Sequence, residues 1–286
     1  MKKFLALFSA AVITASLGAT LFGNQANAVV NGSDALQQYG AVSIWNFDNR
    51  GVFRHRCTGS LINPYWAVTA AHCDFANPDI LIPNQTSVRA ASLNNASGYQ
   101  EVGLEAVYVH PDFQAPPSDG PNINDIALIK FKHPVTNSQL LTLSSNSPAI
   151  GTQGKAAGWG WHCDDIVGTP GATPNCGLPY TNVLQETTLQ VVEDSRCEYF
   201  SDSLTQICTV GANGKYTMVC RGDSGAPLVR KSFDKWILMG TVSGDGDLLI
   251  NHPNECDSDI NGRQGTGRFT DIAPYRQWII DTIYGL

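Results

Sequence analysis

Short β-branched stretches carry the apolar positions of this chain, and Gly, Pro and Asn separate one stretch from the next. On that pattern residues 41–45, 66–70, 102–109, 126–131, 188–192, 226–229 and 236–242 read as strands. The end of the chain changes period. Ile272, Tyr275, Ile279 and Ile283 recur at helical spacing after Asp271, which predicts a closing amphipathic helix over 273–284. At the other end Lys2 and Lys3 precede an apolar stretch over 4–22, and Ala26-Asn27-Ala28 places small residues at the two positions a signal peptidase reads. Residues 1–28 are therefore expected to be an export signal. An uncleaved membrane anchor is the competing reading, against which the small-x-small site argues. No later stretch is long and apolar enough to span a bilayer, so no membrane association is expected once the signal is removed.

The element pattern is all-β with one terminal helix, which suits a sandwich or a barrel. A polar Ser/Asn-rich stretch over 137–147, closed by Pro148, divides the chain into 29–140 and 141–286. With 43% hydrophobic and 15% charged residues, 27 Gly and 15 Pro, the composition is that of a loop-rich globular protein with ample core material. The formal charge is −7, and the leader carries two of the lysines and none of the acids. An acidic chain without a basic run is a poor partner for nucleic acid or for an anionic membrane.

Two strings carry candidate chemistry: Thr69-Ala70-Ala71-His72-Cys73 and Cys220-Arg221-Gly222-Asp223-Ser224-Gly225-Ala226-Pro227. A serine hydroxyl is a poor nucleophile at neutral pH and needs a base within hydrogen-bond reach, with an oriented carboxylate behind that base. Gly222 and Gly225 allow the sharp turn that would present the amides of Gly222 and Ser224 to a developing oxyanion. Asn124-Asp125-Ile126-Ala127-Leu128-Ile129 offers a carboxylate at the start of an apolar run. Read singly, His72 is a core histidine, Asp125 a turn cap and Asp223 a turn residue. Their joint order, His then Asp then Ser, favours the chemical reading. His55, His110, His133, His162 and His252 lack such company and read as surface or loop residues.

On these strings, together with Val29-Val30-Asn31-Gly32, Trp66-Ala67-Val68, Gly158-Trp159-Gly160 and Trp278-Ile279, the chain resembles the chymotrypsin/trypsin family of secreted serine endopeptidases. The resemblance implies two packed antiparallel six-stranded β-barrels and a C-terminal α-helix, with His72 and Asp125 on the first barrel, Ser224 on the second, and the site in the cleft between them. It implies acyl transfer: Ser224 attacks, His72 carries the proton, Asp125 orients His72, and the Gly222 and Ser224 amides hold the oxyanion. Ser243 matches the family serine that supports the triad carboxylate, the competing reading being a surface strand serine. The resemblance also implies an activation pair between the amine of Val29 and Asp223. Since no residue separates the signal site from Val29, export itself is expected to release that amine. An α-amino pKa near ~8 then predicts an alkaline decline of activity. Asn31 stands where the family more usually has glycine.

The same resemblance pairs Cys57 with Cys73, Cys197 with Cys208 and Cys220 with Cys256. Cys163 and Cys176 are left to each other in a local loop that departs from the commoner family bridges. An exported chain with eight cysteines suits a disulfide framework better than a metal site, and no Cys-x-x-Cys pattern occurs. Calcium is also disfavoured, because residues 92–100, where the resemblance places the acidic ligands of calcium-binding relatives, contain no carboxylate before Glu101. No cofactor is expected.

For specificity, Met218 stands where trypsins carry a cation-binding aspartate, with Val219 beside it. An apolar floor disfavours a buried cation, so cleavage after apolar residues is expected. The pocket is expected to include Gly244, Asp245 and Gly267. Asp245 either rims the pocket and attracts basic groups or lies in a turn, the turn being favoured. The partners implied are peptide or protein substrates and protein protease inhibitors, and the protein is expected to be a monomer. A non-cleaving homologue that only binds a partner is the rival function; such proteins commonly lose His, Asp or Ser, and all three are present here. Hydrolysis of small esters alone is a third reading. Asn31, Asn84 and Asn95 head Asn-x-Ser/Thr strings that allow glycosylation in a suitable host.

Overall fold

The computed structural model describes residues 29–47, 50–73, 83–115, 121–161, 180–198, 204–247 and 256–286. Strands Ala41–Phe47, Phe53–Asn63, Trp66–Thr69, Ala127–Phe131, Gln100–Val109 and Ser87–Ala90 hydrogen-bond in that spatial order, and the last returns to the first to close a barrel. Its interior is filled by Val42, Ile44, Leu61, Val88, Leu104, Ile129 and Phe131. Closure matters physically because it leaves no unpaired edge.

A second ring runs through Gln153–Gly158, Gln185–Val191, Gln206–Gly211, Thr266–Asp271, Lys235–Asp245 and Pro227–Ser232, which pairs back to the first of these strands. Its core holds Leu189, Ile207, Val219, Leu228, Met239, Val242 and Phe269. The fold is thus two closed six-stranded antiparallel barrels. Between them lies a shared apolar layer that includes Tyr39, Trp66, Ile126, Leu128, Trp159, Leu238 and Ile272. Burial of that layer sets the position of one barrel against the other.

The terminal helix spans Ile272–Tyr284, one residue longer at its start than the periodicity predicts. Asp271 caps it by accepting a hydrogen bond from the Ala273 amide at 3.0 Å. Pro274 falls in the first turn, where a missing N–H costs little. Gly285 ends the helix at φ 68, a conformation that glycine adopts without a steric penalty. Ile272, Tyr275 and Ile279 bury one face against the shared layer.

The strand Phe53–Asn63 is absent from the sequence expectation. Its first half, Phe-Arg-His-Arg-Cys, alternates charge with apolar groups in a way that does not read as a buried strand. Pairing with Ala41–Phe47 and Trp66–Thr69 on its two sides supplies what local propensity does not.

Candidate active site

Sheet register explains why residues far apart in the chain meet. Thr69 pairs with Ala127 on neighbouring antiparallel strands, so the turn after Thr69 and the residues before Ala127 emerge at the same end of the first barrel. His72 lies in that turn and Asp125 stands two residues before Ala127. Asp125 Oδ1 accepts the His72 amide at 2.9 Å, and Oδ2 lies 2.7 Å from His72 Nδ1. An ionised carboxylate only accepts, so Nδ1 carries the proton and Nε2 is left as an acceptor. His72 Nε2 lies 2.8 Å from Ser224 Oγ. The arrangement can therefore take the hydroxyl proton from Ser224 onto an imidazole whose tautomer is set from behind.

Asp125 is 1% exposed. Burial opposes its ionisation, but the electrostatic attraction of the adjacent His72 and the hydrogen bonds from His72 and Ser243 outweigh burial and hold the carboxyl below the usual carboxylate range. Ser243 Oγ donates to Oδ2 at 2.5 Å. The cause is local: register slips between Val242, opposite Phe269, and Gly244, opposite Arg268. Ser243 occupies that bulge, which re-aims its side chain toward the neighbouring barrel.

The turn that carries Ser224 is held from both barrels. The Thr58 amide donates to Ser224 O at 2.9 Å, Gly225 N donates to Val242 O at 2.8 Å, and the disulfide between Cys57 and Cys73 ties this segment to the His72 turn. Gly222 has φ 90 and Gly225 φ 82, backbone that favours glycine. A Cβ on Gly225 would run into Thr58 O and Thr69 Oγ1, so the turn packs too closely for any other residue. Among the described residues no protein acceptor takes up the amide of Gly222 or of Ser224. Both amides are available to an anion formed beside Ser224 Oγ.

His55 departs from its reading as a surface or loop residue: it is buried, at 6% exposure. Ser43 Oγ accepts from Trp45 Nε1 at 2.8 Å and from Asn95 Nδ2 at 3.3 Å, and lies 2.8 Å from His55 Nδ1. With both its lone pairs taken, Ser43 donates its single proton to Nδ1. His55 Nε2 then carries a proton and donates to Gly222 O at 3.0 Å, where Thr58 Oγ1 also donates at 3.1 Å. Burial pushes the His55 pKa down to about 4, which keeps the ring neutral. A lone histidine between two arginines carries no such signal in the sequence; only the neighbouring Gly222 string and a known strand at 53–63 would have suggested it.

Asp223 is fully buried. Its Oδ1 accepts from Gly160 N at 2.9 Å and its Oδ2 from Cys220 N at 3.0 Å. Burial raises its pKa to about 7 against the opposing effect of those two bonds. Among the described residues no cation lies within ion-pair distance of it. Val29 and Val30 are also fully buried, and Val30 bridges to Met218, three residues from Arg221. Val29 has φ 64, a strained value for a β-branched residue inside a chain.

Met218 and Val219 are 1% and 3% exposed. Val219 Cγ2 would stand 3.3 Å from a Cβ on Gly267, so that glycine keeps the wall thin. Asp245 turns its carboxylate to backbone amides, Asp247 N at 2.9 Å and Cys256 N at 3.4 Å. Arg268, 5% exposed, brings its guanidinium to 3.3 Å from the point where Gly244 would carry a Cβ. Sequence reasoning passed over this buried cation. Disulfides also join Cys197 with Cys208 and Cys220 with Cys256, while Cys163, Cys176 and His162 lie outside the described residues. No group of three or more His, Cys, Asp or Glu that could hold a metal occurs among the described residues, and no helix there is long and apolar enough to cross a membrane.

The sequence profile described as Trypsin matches residues 29–279. The chain belongs to the trypsin family. This trypsin-family chain is 30% identical over 248 residues to the tryptase of Mus musculus, covering 81% of itself and 80% of that protein. It is 29% identical over 256 residues to the CLIP domain-containing serine protease B4 of Anopheles gambiae, covering 82% of itself but only 64% of that relative's length. Neuropsin, a serine protease expressed in the limbic system of mouse brain, superposes with a TM-score of 0.65 at 21% identity, over 89% of this chain and all of that one. At that identity the superposition speaks for the fold.

Proposed function

We propose that this trypsin-family protein is a secreted serine endopeptidase that cleaves peptide bonds through an acyl-enzyme. The observation that carries the reading is the unbroken line from Asp125 Oδ2 through His72 to Ser224 Oγ, at 2.7 and 2.8 Å. Ser224 Oγ attacks the carbonyl carbon as His72 Nε2 takes its proton, and Asp125 stabilises the imidazolium. Charge building on the carbonyl oxygen is met by the amides of Gly222 and Ser224. His72 returns the proton to the leaving amine, and water releases the acyl group by the same steps in reverse.

Cleavage after apolar residues is supported by the buried Met218 and Val219. Basic-residue preference through Asp245 is disfavoured by the engagement of its carboxylate with Asp247 N and Cys256 N. Removal of residues 1–28 supplies the amine of Val29 to Asp223. The buried, uncompensated carboxylate and the positive φ at Val29, which ceases to exist once that peptide bond is cut, both favour this step.

The test is fluorophosphonate labelling of the secreted protein, followed by a peptide library. Labelling that requires both Ser224 and His72, with cleavage after Phe, Leu or Met, is expected. Stoichiometric binding of a partner protein with no labelling would favour a non-cleaving homologue, and strong Arg or Lys preference would overturn the pocket reading.

A further inference from the structure

Asp125 belongs to the first barrel by chain position, yet the residue before it is anchored on the terminal helix. Asn124 has φ 51, a left-handed conformation that asparagine tolerates better than most residues but that still costs free energy. Both ends of its side-chain amide are used. Nδ2 donates to Asp112 O at 2.8 Å within the first barrel, and Oδ1 accepts from the Tyr275 hydroxyl at 2.7 Å across the interface. Tyr275 is 4% exposed and lies in the first turn of the helix Ile272–Tyr284. Its ring is fixed edge-on by His110 at 5.1 Å between centroids, and His110 in turn bonds through its amide to Ile126 O at 3.1 Å. A second tie crosses at the same place, from Thr270 Oγ1 to Asp125 O at 2.9 Å.

The conformation of Asn124 sets the direction in which Asp125 leaves the backbone. The bond from Asp125 Oδ2 to His72 Nδ1 tolerates little misplacement, because hydrogen bonds weaken steeply with angle. We infer that Tyr275 and Asn124 are positioning residues: the helix hydroxyl of the second barrel holds Asn124 in its left-handed conformation and thereby aims the Asp125 carboxylate at His72. This rests on the reading that His72 acts on Ser224. Thr270 and Ser243 hold Asp125 directly; Tyr275 acts one residue upstream, so its effect passes through backbone geometry.

The test uses Tyr275→Phe and Asn124→Gly in the processed, secreted protein, with Ser224→Ala as reference. Each is assayed for kcat and KM on a peptide amide, for the pH dependence of kcat/KM, for the low-field proton signal of the His72 Nδ1–H, and for thermal unfolding. Tyr275→Phe is expected to lower kcat about five- to tenfold with KM nearly unchanged. A less well aimed carboxylate stabilises the imidazolium less, so the acid limb of kcat/KM moves to lower pH and the low-field signal shifts upfield. Asn124→Gly keeps the backbone conformation accessible while losing the anchor, so it should fall in the same direction. The double variant should lose no more than the larger single loss, since one interaction is removed twice. Unchanged kcat, acid limb and proton signal in Tyr275→Phe, while Ser224→Ala is inactive, would overturn the positioning role alone. Retained activity in Ser224→Ala would overturn the underlying reading and the inference with it.

Discussion

His55 Nε2 lies 3.0 Å from Gly222 O, and the proton count at Ser43 makes that nitrogen the donor. The turn whose amides face Ser224 is thus held by a neutral, buried imidazole on the opposite barrel. The relationship ties the geometry of the turn that carries Ser224 to the ionisation of a residue other than His72.

The first prediction concerns that histidine. His55→Ala leaves Gly222 O with only Thr58 Oγ1, and kcat should fall about tenfold or more, with KM less affected. The pH dependence has a definite sign. In the unfolded chain the ring titrates near the ordinary 6.5, whereas in the fold its pKa is about 4. Unfolded protein therefore binds the extra proton between these values, and stability is lost as pH falls from about 6.5 toward 4, by on the order of 3 kcal/mol. Unfolding midpoints of wild type and His55→Phe across that range measure it; a parallel acid decline in the two would contradict the assignment.

Asp223 makes the opposite prediction for the chain still joined at residues 28 and 29. Its pKa is raised to about 7, so the fold binds the extra proton between the ordinary carboxylate value and 7. Stability of the uncleaved protein should fall as pH rises through that window. Once the Val29 amine is free and paired with Asp223, that loss should vanish. Urea midpoints of a cleavage-blocked variant and of the processed protein at pH 5 and pH 8 distinguish the two.

Ser243→Ala removes the 2.5 Å bond to Asp125 Oδ2. A hydrogen bond to a buried charge contributes about 1.5 to 3 kcal/mol, so activity should drop about ten- to a hundredfold. Losing that donor also raises the Asp125 pKa relative to the wild type, and activity should begin to fail at a less acidic pH. Steady-state kinetics from pH 4 to pH 8 provide the check.

Specificity can be probed at Met218. Met218→Asp places a carboxylate in a buried, apolar site beside Val30 and Cys256. Burial without a partner is costly, so the variant should lose stability and, on the proposed pocket reading, the preference for Phe or Leu, and should recover structure when an arginine-containing substrate or benzamidine supplies the cation. Thermal shift with and without benzamidine reports the recovery.

Much of the site was legible because its signals are short and contiguous. The strings around His72 and Ser224 and the apolar run after Asp125 each occupy a handful of residues, and the terminal helix shows in the period of Ile272, Tyr275 and Ile279. The residues that went unread are those whose role comes from cross-chain proximity. His55 sits between arginines in a strand that alternates charge, Tyr275 reads as one more apolar helix position, and Arg268 follows a glycine in a strand with no local hint of burial. None has a neighbour in sequence that explains it.

What the amino-acid order determined by itself is the inventory: which groups can ionise, donate or attack, where glycine frees the backbone, and which stretches must be buried. Tertiary structure decided which tautomer each imidazole adopts, which carboxylate lies below the usual range and which above it, and which barrel holds Asp125. The reason is that ionisation and hydrogen bonding depend on distances of about 3 Å and on the exclusion of water. Those are set where the two closed sheets meet, between residues such as His55 and Gly222 that the chain keeps 167 positions apart.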